Sequence, residues 1–229
     1  MTSDHITNDF SNKAVIFDMD GVICHTNPYH AQAFAVFFDK YKIAYTDKEF
    51  EDHMFGKHNS YIMTHFFKRD ILGEELTALE FEKEALFREI YKSEVKTIPH
   101  YIEFLEDLKD NGFKTAVATS APRANLELIL DVLQIEDKMD SLLASENVSL
   151  HKPHPEVYLK SAQNLGVDPR QCVVFEDSFS GVTAGLNAGM QVVGVLSSHP
   201  KEDLPPCVAY ISDYREIDAA TVKDILMRI

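Results

Sequence analysis

Four short apolar, β-rich runs, each ended at once by a polar cluster, constrain this chain more than any other feature. Val15-Ile-Phe runs into Asp18-Met-Asp20-Gly21 and Thr115 to Ala118 into Thr119-Ser120. Cys172 to Phe175 runs into Glu176-Asp177-Ser178, and Gln191 to Val195 into Leu196-Ser197-Ser198. Between them lie helical spacings: Ile102, Leu105 and Leu108 before Gly112, then Leu126, Ile129, Leu130 and Leu133, then Val157, Leu159, Ala162 and Leu165 before Gly166. Strand and helix alternate, which implies βαβ units with right-handed crossovers and a parallel sheet covered on both faces. Weaker runs at Leu142 to Ala144 and Val208 to Ile211 bring the strand count to five or six. The expected class is α/β, a Rossmann-like parallel sheet in three α/β/α layers.

Residues 28–93 break this rhythm. They carry helical spacings (Ala31, Phe34, Ala35, Phe38; Leu76, Leu79, Ala85, Leu86, Ile90) and no convincing strand. They read as a helical cap domain inserted after the first strand, with 13–27 and 94–229 forming the α/β core and 1–12 a polar tail. The connections 22–27 and 94–98 then act as paired hinges of a lid. Phe37, Phe38, Phe66 and Phe67 read as cap core, and both a monomer and a homodimer fit such a sequence.

Charge narrows the function. With 22 basic and 37 acidic residues the net charge is −15, which excludes the basic footprint of a nucleic-acid binder. Residues 1–12 lack the order of a signal peptide, and no apolar run approaches membrane-spanning length, so a cytoplasmic chain that binds no membrane is expected. Cys24, Cys172 and Cys207 form no CxxC pair and no even-numbered framework, and read as buried free thiols.

In a parallel sheet the polar clusters converge outside the strands' carboxyl ends. Asp18 and Asp20, one residue apart on extended backbone, share a side and repel unless a cation or proton neutralises them. Gly21 lets the chain turn sharply away. Thr119 and Ser120, Lys152 in a His-Lys-Pro turn, and Glu176 with Asp177 complete the set. Hard carboxylate oxygens without Cys or His beside them favour Mg²⁺, which accepts substrate phosphate as a further ligand.

In this order the clusters resemble the four motifs of the haloacid dehalogenase superfamily: Asp18-Met-Asp20-Gly-Val, Thr119, Lys152-Pro153 and Glu176-Asp177. Phe175-Glu-Asp-Ser178, Gly181 and Ala188-Gly-Met190, with a cap after the first motif, resemble the β-phosphoglucomutase-like subfamily of sugar-phosphate phosphatases and mutases. The resemblance implies that Asp18 attacks phosphorus and Asp20 serves as acid and base. It implies that Thr119 and the Ser120 N–H bind phosphoryl oxygens, and that Lys152 neutralises Asp18 and phosphate. Asp18, Asp177, the Asp20 carbonyl and Glu176, directly or through water, are the implied Mg²⁺ ligands. Ser178 reads equally as a helix cap, and Thr119 alone would read as one too.

Phe55-Gly-Lys57-His58-Asn59 resembles the subfamily's specificity loop, in which mutases carry an arginine where Asn59 stands. Lys57, Asn59, His30 and Lys83 are the implied cap contacts to substrate, although Lys83 on a glutamate-rich helix also reads as a solvated ion pair. His25 stands where the subfamily usually has aspartate. Asn cannot grip a second phosphate as arginine does. The expected function is a Mg²⁺-dependent phosphatase of a small phosphorylated metabolite, a sugar phosphate, working through an aspartyl phosphate. β-Phosphoglucomutase is the alternative, and a receiver-like phospho-acceptor is a third reading that the motif order disfavours.

Overall fold

The computed structural model describes residues 10–54 and 59–228, and they divide into two compact units. One comprises the described residues through His25 and those from Lys96 onward; the other is Thr26–Val95.

The first unit is a six-stranded, all-parallel sheet. Its strands are β1 (Ala14–Phe17), β2 (Lys114–Ala118), β3 (Ser141–Leu143), β4 (Cys172–Glu176), β5 (Gln191–Val195) and β6 (Ala209–Ile211). Their order across the sheet is β3-β2-β1-β4-β5-β6. The chain builds outward from β1 in one direction and then, from β4, in the other. The reversal lies between β1 and β4, where open α/β sheets hold their ligands. Register is fixed there: Ile16 stands opposite Ala116 on one side and Val174 on the other.

Alternation along the strands divides the core into two faces. Phe17 and Phe175 pack 5.3 Å apart against Tyr101 and Phe104 of helix Tyr101–Asp110 and against Tyr214. Ile16, Ala116, Ala118 and Val174 join the opposite cluster with Val157, Tyr158, Ala162, Val182 and Ala184. These last five come from helices Glu156–Leu165 and Phe179–Asn187. A sheet buried on both faces explains why β1 and residues 172–175 of β4 read as unbroken apolar runs. Burying each large apolar side chain contributes about 1.5–3 kcal/mol.

The second unit consists of α1 (Asn27–Lys40), α2 (Asp47–Met54), α3 (Asn59–Phe67) and α4 (Gly73–Tyr91), with no strand among its described residues. Helices α5 (Tyr101–Asp110), α6 (Arg123–Leu133), α7 (Glu156–Leu165), α8 (Phe179–Asn187) and α9 (Ala219–Met227) belong to the first unit. Phe34, Phe37, Phe38, Met63 and Phe66 form the helical unit's own core, and Phe67 packs against it. Among the described residues no helix is long and apolar enough to cross a membrane. All three thiols are free, Cys24 and Cys172 buried as expected and Cys207 only half-buried.

Candidate active site

The first motif differs from its expected form in one respect. β1 ends at Phe17, and the chain bends at Met19, so the two carboxylates do not continue the strand. The Met19 carbonyl accepts from the N–H groups of Val22, Ile23 and Cys24, and Gly21 adopts φ +72°. A side chain at Gly21 would collide with the Asp177 carboxylate and stand 2.6 Å from Ser198 Oγ. Glycine is needed there for its conformation and for the close approach of the fourth motif.

Asp18 follows β1, Glu176 ends β4 with Asp177 next, and Lys152 lies on the loop before α7. The Lys152 ammonium donates to Asp18 Oδ1 at 2.6 Å, Glu176 Oε1 at 2.7 Å and the Ala118 carbonyl at 3.1 Å. Its three protons are thereby used. Both Glu176 oxygens are also engaged. Oε1 accepts from Lys152 and from the Tyr158 hydroxyl at 2.8 Å. Oε2 accepts from the Asp177 and Ser178 N–H groups and from Ser178 Oγ. Ser178 Oγ in turn accepts from Gly181 N at 3.1 Å, so this residue caps α8 and holds Glu176 at once.

Thr119, 1% exposed, follows β2; its Oγ1 accepts from Ala121 N at 3.0 Å, which leaves the hydroxyl proton to donate. Ser120 beside it is exposed. His25, His151 and His154 are exposed as well.

The electrostatics follow from burial. Burial pushes the Asp18 carboxyl up to about 7, with Glu176 and Asp20 adding to the rise and Lys152 opposing it. Burial first, and then the charges of Glu176 and Asp18, raise Asp177 well above the carboxylate range. Burial pulls the Lys152 ammonium down, but Asp18 and Glu176 outweigh it and hold its pKa well above the usual value. Acceptor oxygens of Asp18, Glu176 and Asp177 lie within 4.8 Å of one another. Three buried carboxylates against one ammonium leave uncompensated negative charge in an all-oxygen donor set, and this fits a hard divalent cation.

The sequence reading missed four residues around this cluster. Ser198 Oγ donates to Asp177 Oδ2, Ser197 Oγ donates to the Gly21 carbonyl, and His199 Nδ1 lies 3.1 Å from the Asp177 carbonyl. The signal for the serines was present, since they end β5 as the motif residues end their strands. Tyr158 carries no such mark, being one more apolar-face residue of α7.

On the helical unit, His30, Asn59 and Lys83 come together, with Glu84 as an unforeseen member. Glu84 pairs with the Lys83 ammonium and accepts from Asn59 Nδ2 at 2.8 Å, and Lys83 Nζ lies 3.2 Å from His30 Nδ1. Lys83 is 1% exposed, not a solvated helix residue. Burial opposes the charge on Glu84, but Lys83 and His30 outweigh it and lower its carboxyl to about 2. Lys57 and His58 lie outside the described residues.

Comparison with known proteins places this geometry. A model of the haloacid dehalogenase-like hydrolases matches residues 15–195. A phosphorylated carbohydrates phosphatase of Thermotoga maritima is 34% identical over 191 residues, covering 81% of this chain and 86% of its own. A fructose-1-phosphate phosphatase of Escherichia coli is 32% identical over 181 residues, covering 79% and 95%. Among solved structures, a family IA, variant 3 hydrolase from Entamoeba histolytica matches with a TM-score of 0.88 at 26% identity, covering 94% of this chain and 99% of that one. A β-phosphoglucomutase from Clostridium difficile matches at 0.79 and 26% identity, covering 94% and 97%. With the family model spanning most of its length, the chain belongs to the haloacid dehalogenase-like hydrolases.

Proposed function

We propose that this hydrolase is a Mg²⁺-dependent phosphatase of a small phosphorylated metabolite, a sugar phosphate, and that it works through an aspartyl phosphate on Asp18. The observation that carries the reading is the Asp18 carboxylate, buried at the end of β1, facing a cation that is itself fixed by a second carboxylate. The carbohydrate-phosphate substrates named for the Thermotoga and Escherichia relatives support the substrate class.

Asp18 attacks phosphorus and splits one difficult displacement into two easier ones. Asp20 gives a proton to the leaving oxygen and later takes one from water. Thr119 Oγ1 and the Ser120 N–H donate to the transferring oxygens, and Lys152 offsets charge shared by Asp18 and the phosphoryl group. Asp18, Asp177 and the Asp20 carbonyl are the proposed Mg²⁺ ligands, with Glu176 contributing charge. Bound there, Mg²⁺ supplies the positive charge that keeps the buried carboxylates ionised and stabilises phosphoryl charge in transfer.

The helical unit supports hydrolysis over mutase chemistry. A mutase holds a doubly phosphorylated intermediate, which calls for cationic grip on a second phosphate. Here Asn59 and Lys83 are both engaged by Glu84, and Lys83 is neutralised by it. His30, Asn59, Lys83 and Lys57 remain the candidates for substrate choice, and the neutralised cluster suits hydroxyl groups better than a second phosphate.

The test is phosphate release from a panel of hexose, pentose and polyol phosphates with Mg²⁺. Asp18→Asn is expected to lose at least about a thousandfold in kcat, consistent with removal of a covalent nucleophile. Full activity in that variant would overturn the mechanism. Conversion of β-glucose 1-phosphate to glucose 6-phosphate without phosphate release would establish the mutase instead.

A further inference from the structure

We infer that Tyr158 is a positioning residue for the reaction, holding Glu176 and through it the Lys152 ammonium against Asp18; the catalytic part of this inference rests on the phosphatase reading above. Tyr158 is 0% exposed on α7, and its side chain touches both partners of the ion pair. The hydroxyl donates to Glu176 Oε1 at 2.8 Å, the same oxygen that accepts from Lys152. The ring lies beneath the ammonium, with Lys152 Nζ 4.9 Å from its centroid.

The arrangement leaves Glu176 little freedom for another task. Five donors converge on its two oxygens, whose capacity is about four lone-pair sites. Oε2 is fixed by the backbone turn into α8 and by Ser178. Oε1 is fixed by Tyr158 and Lys152 alone. Without the hydroxyl, Oε1 keeps only the Lys152 ammonium, the group it is meant to position. The geometry therefore assigns Glu176 to anchoring Lys152, with Tyr158 as the fixed end of the anchor.

Tyr158→Phe keeps the ring and its packing while removing only the hydroxyl. The expected result is a fall in kcat of about 10- to 100-fold, the scale of an ångström-level misplacement of a catalytic group, with KM for the best sugar phosphate within about twofold. In the double variant with Glu176→Gln the two losses should not multiply, because both remove the same support for Lys152. A crystal structure of Tyr158→Phe should show the Lys152 to Asp18 contact lengthened, a readout independent of turnover. A kcat within about twofold of the parent, losses that multiply, or an unmoved Lys152 each overturn the inference. Should the parent protein release phosphate from no substrate, the phosphatase reading fails while the Lys152 position still decides whether Tyr158 sets it.

Discussion

Gly181 shows how a single residue can be set by the site and not by its helix. It is the third residue of α8, where alanine would be favoured by about 1 kcal/mol on helix propensity alone. A Cβ there would collide with the Glu176 carboxylate. Overpacking costs of about 1–3 kcal/mol outweigh the propensity gain, so Gly181→Ala should lower stability in urea unfolding. Because the displaced group anchors Lys152, kcat should also fall by about tenfold or more. A more stable, fully active variant would show that Glu176 can move without consequence. Asp18, Glu176 and Asp177, which the structure brings together, were legible as a cluster because strand ends are marked in linear order. Tyr158 was not, since it acquires its role from a partner on another element, 18 residues away.

At the scale of elements, α4 carries the least legible chemistry. Adjacent helical residues do not face each other, so spacing gives no reason to pair Lys83 with Glu84. Burial creates the pair: with both side chains nearly inaccessible, the long ammonium stem folds back onto its neighbour. Lys83, His30 and Asn59 surround Glu84, and Glu80 adds a like charge nearby. Since the folded carboxyl titrates at about 2 and an ordinary one at 4.5, ionisation favours the folded state. This stabilisation is complete above about pH 4.5 and is lost as the pH falls towards 2. At 1.36 kcal/mol per unit it amounts to about 3 kcal/mol. The stability gap between the parent and Glu84→Gln should be widest at neutral pH and close in acid, measured by urea unfolding at each pH; a gap independent of pH would refute the pairing. The strands were read more easily, and even the three-residue β3 and β6 coincide with weak apolar runs. What linear order did not reveal is where β1 stops, because the bend at Met19 depends on three N–H groups converging on one carbonyl.

For the molecule as a whole, the proposed Mg²⁺ site predicts that metal binding and folding are coupled. Asp18 and Asp177 are buried and mutually repelling, and Lys152 offsets only part of that cost. Mg²⁺ at about a hundredfold over its Kd should add about 2.7 kcal/mol, a rise in Tm of about 5–10 °C, and EDTA should reverse it. Asp177→Asn should raise the Tm of the metal-free protein and abolish the increment. A Tm indifferent to Mg²⁺ in the parent would remove the metal from this site.

The position of β1 has a consequence for biosynthesis. It is made before the other strands of the sheet, yet its neighbours are β2 and β4: Ala14 waits for Lys114 on one side and Cys172 on the other. The whole of Thr26–Val95 is made in the interval and is contiguous enough to condense by itself. Throughout that time the apolar Ala14–Phe17 segment has both hydrogen-bonding edges open, the condition under which nascent chains associate wrongly. The strand that leads into Asp18 is thus made well before either of the strands it pairs with.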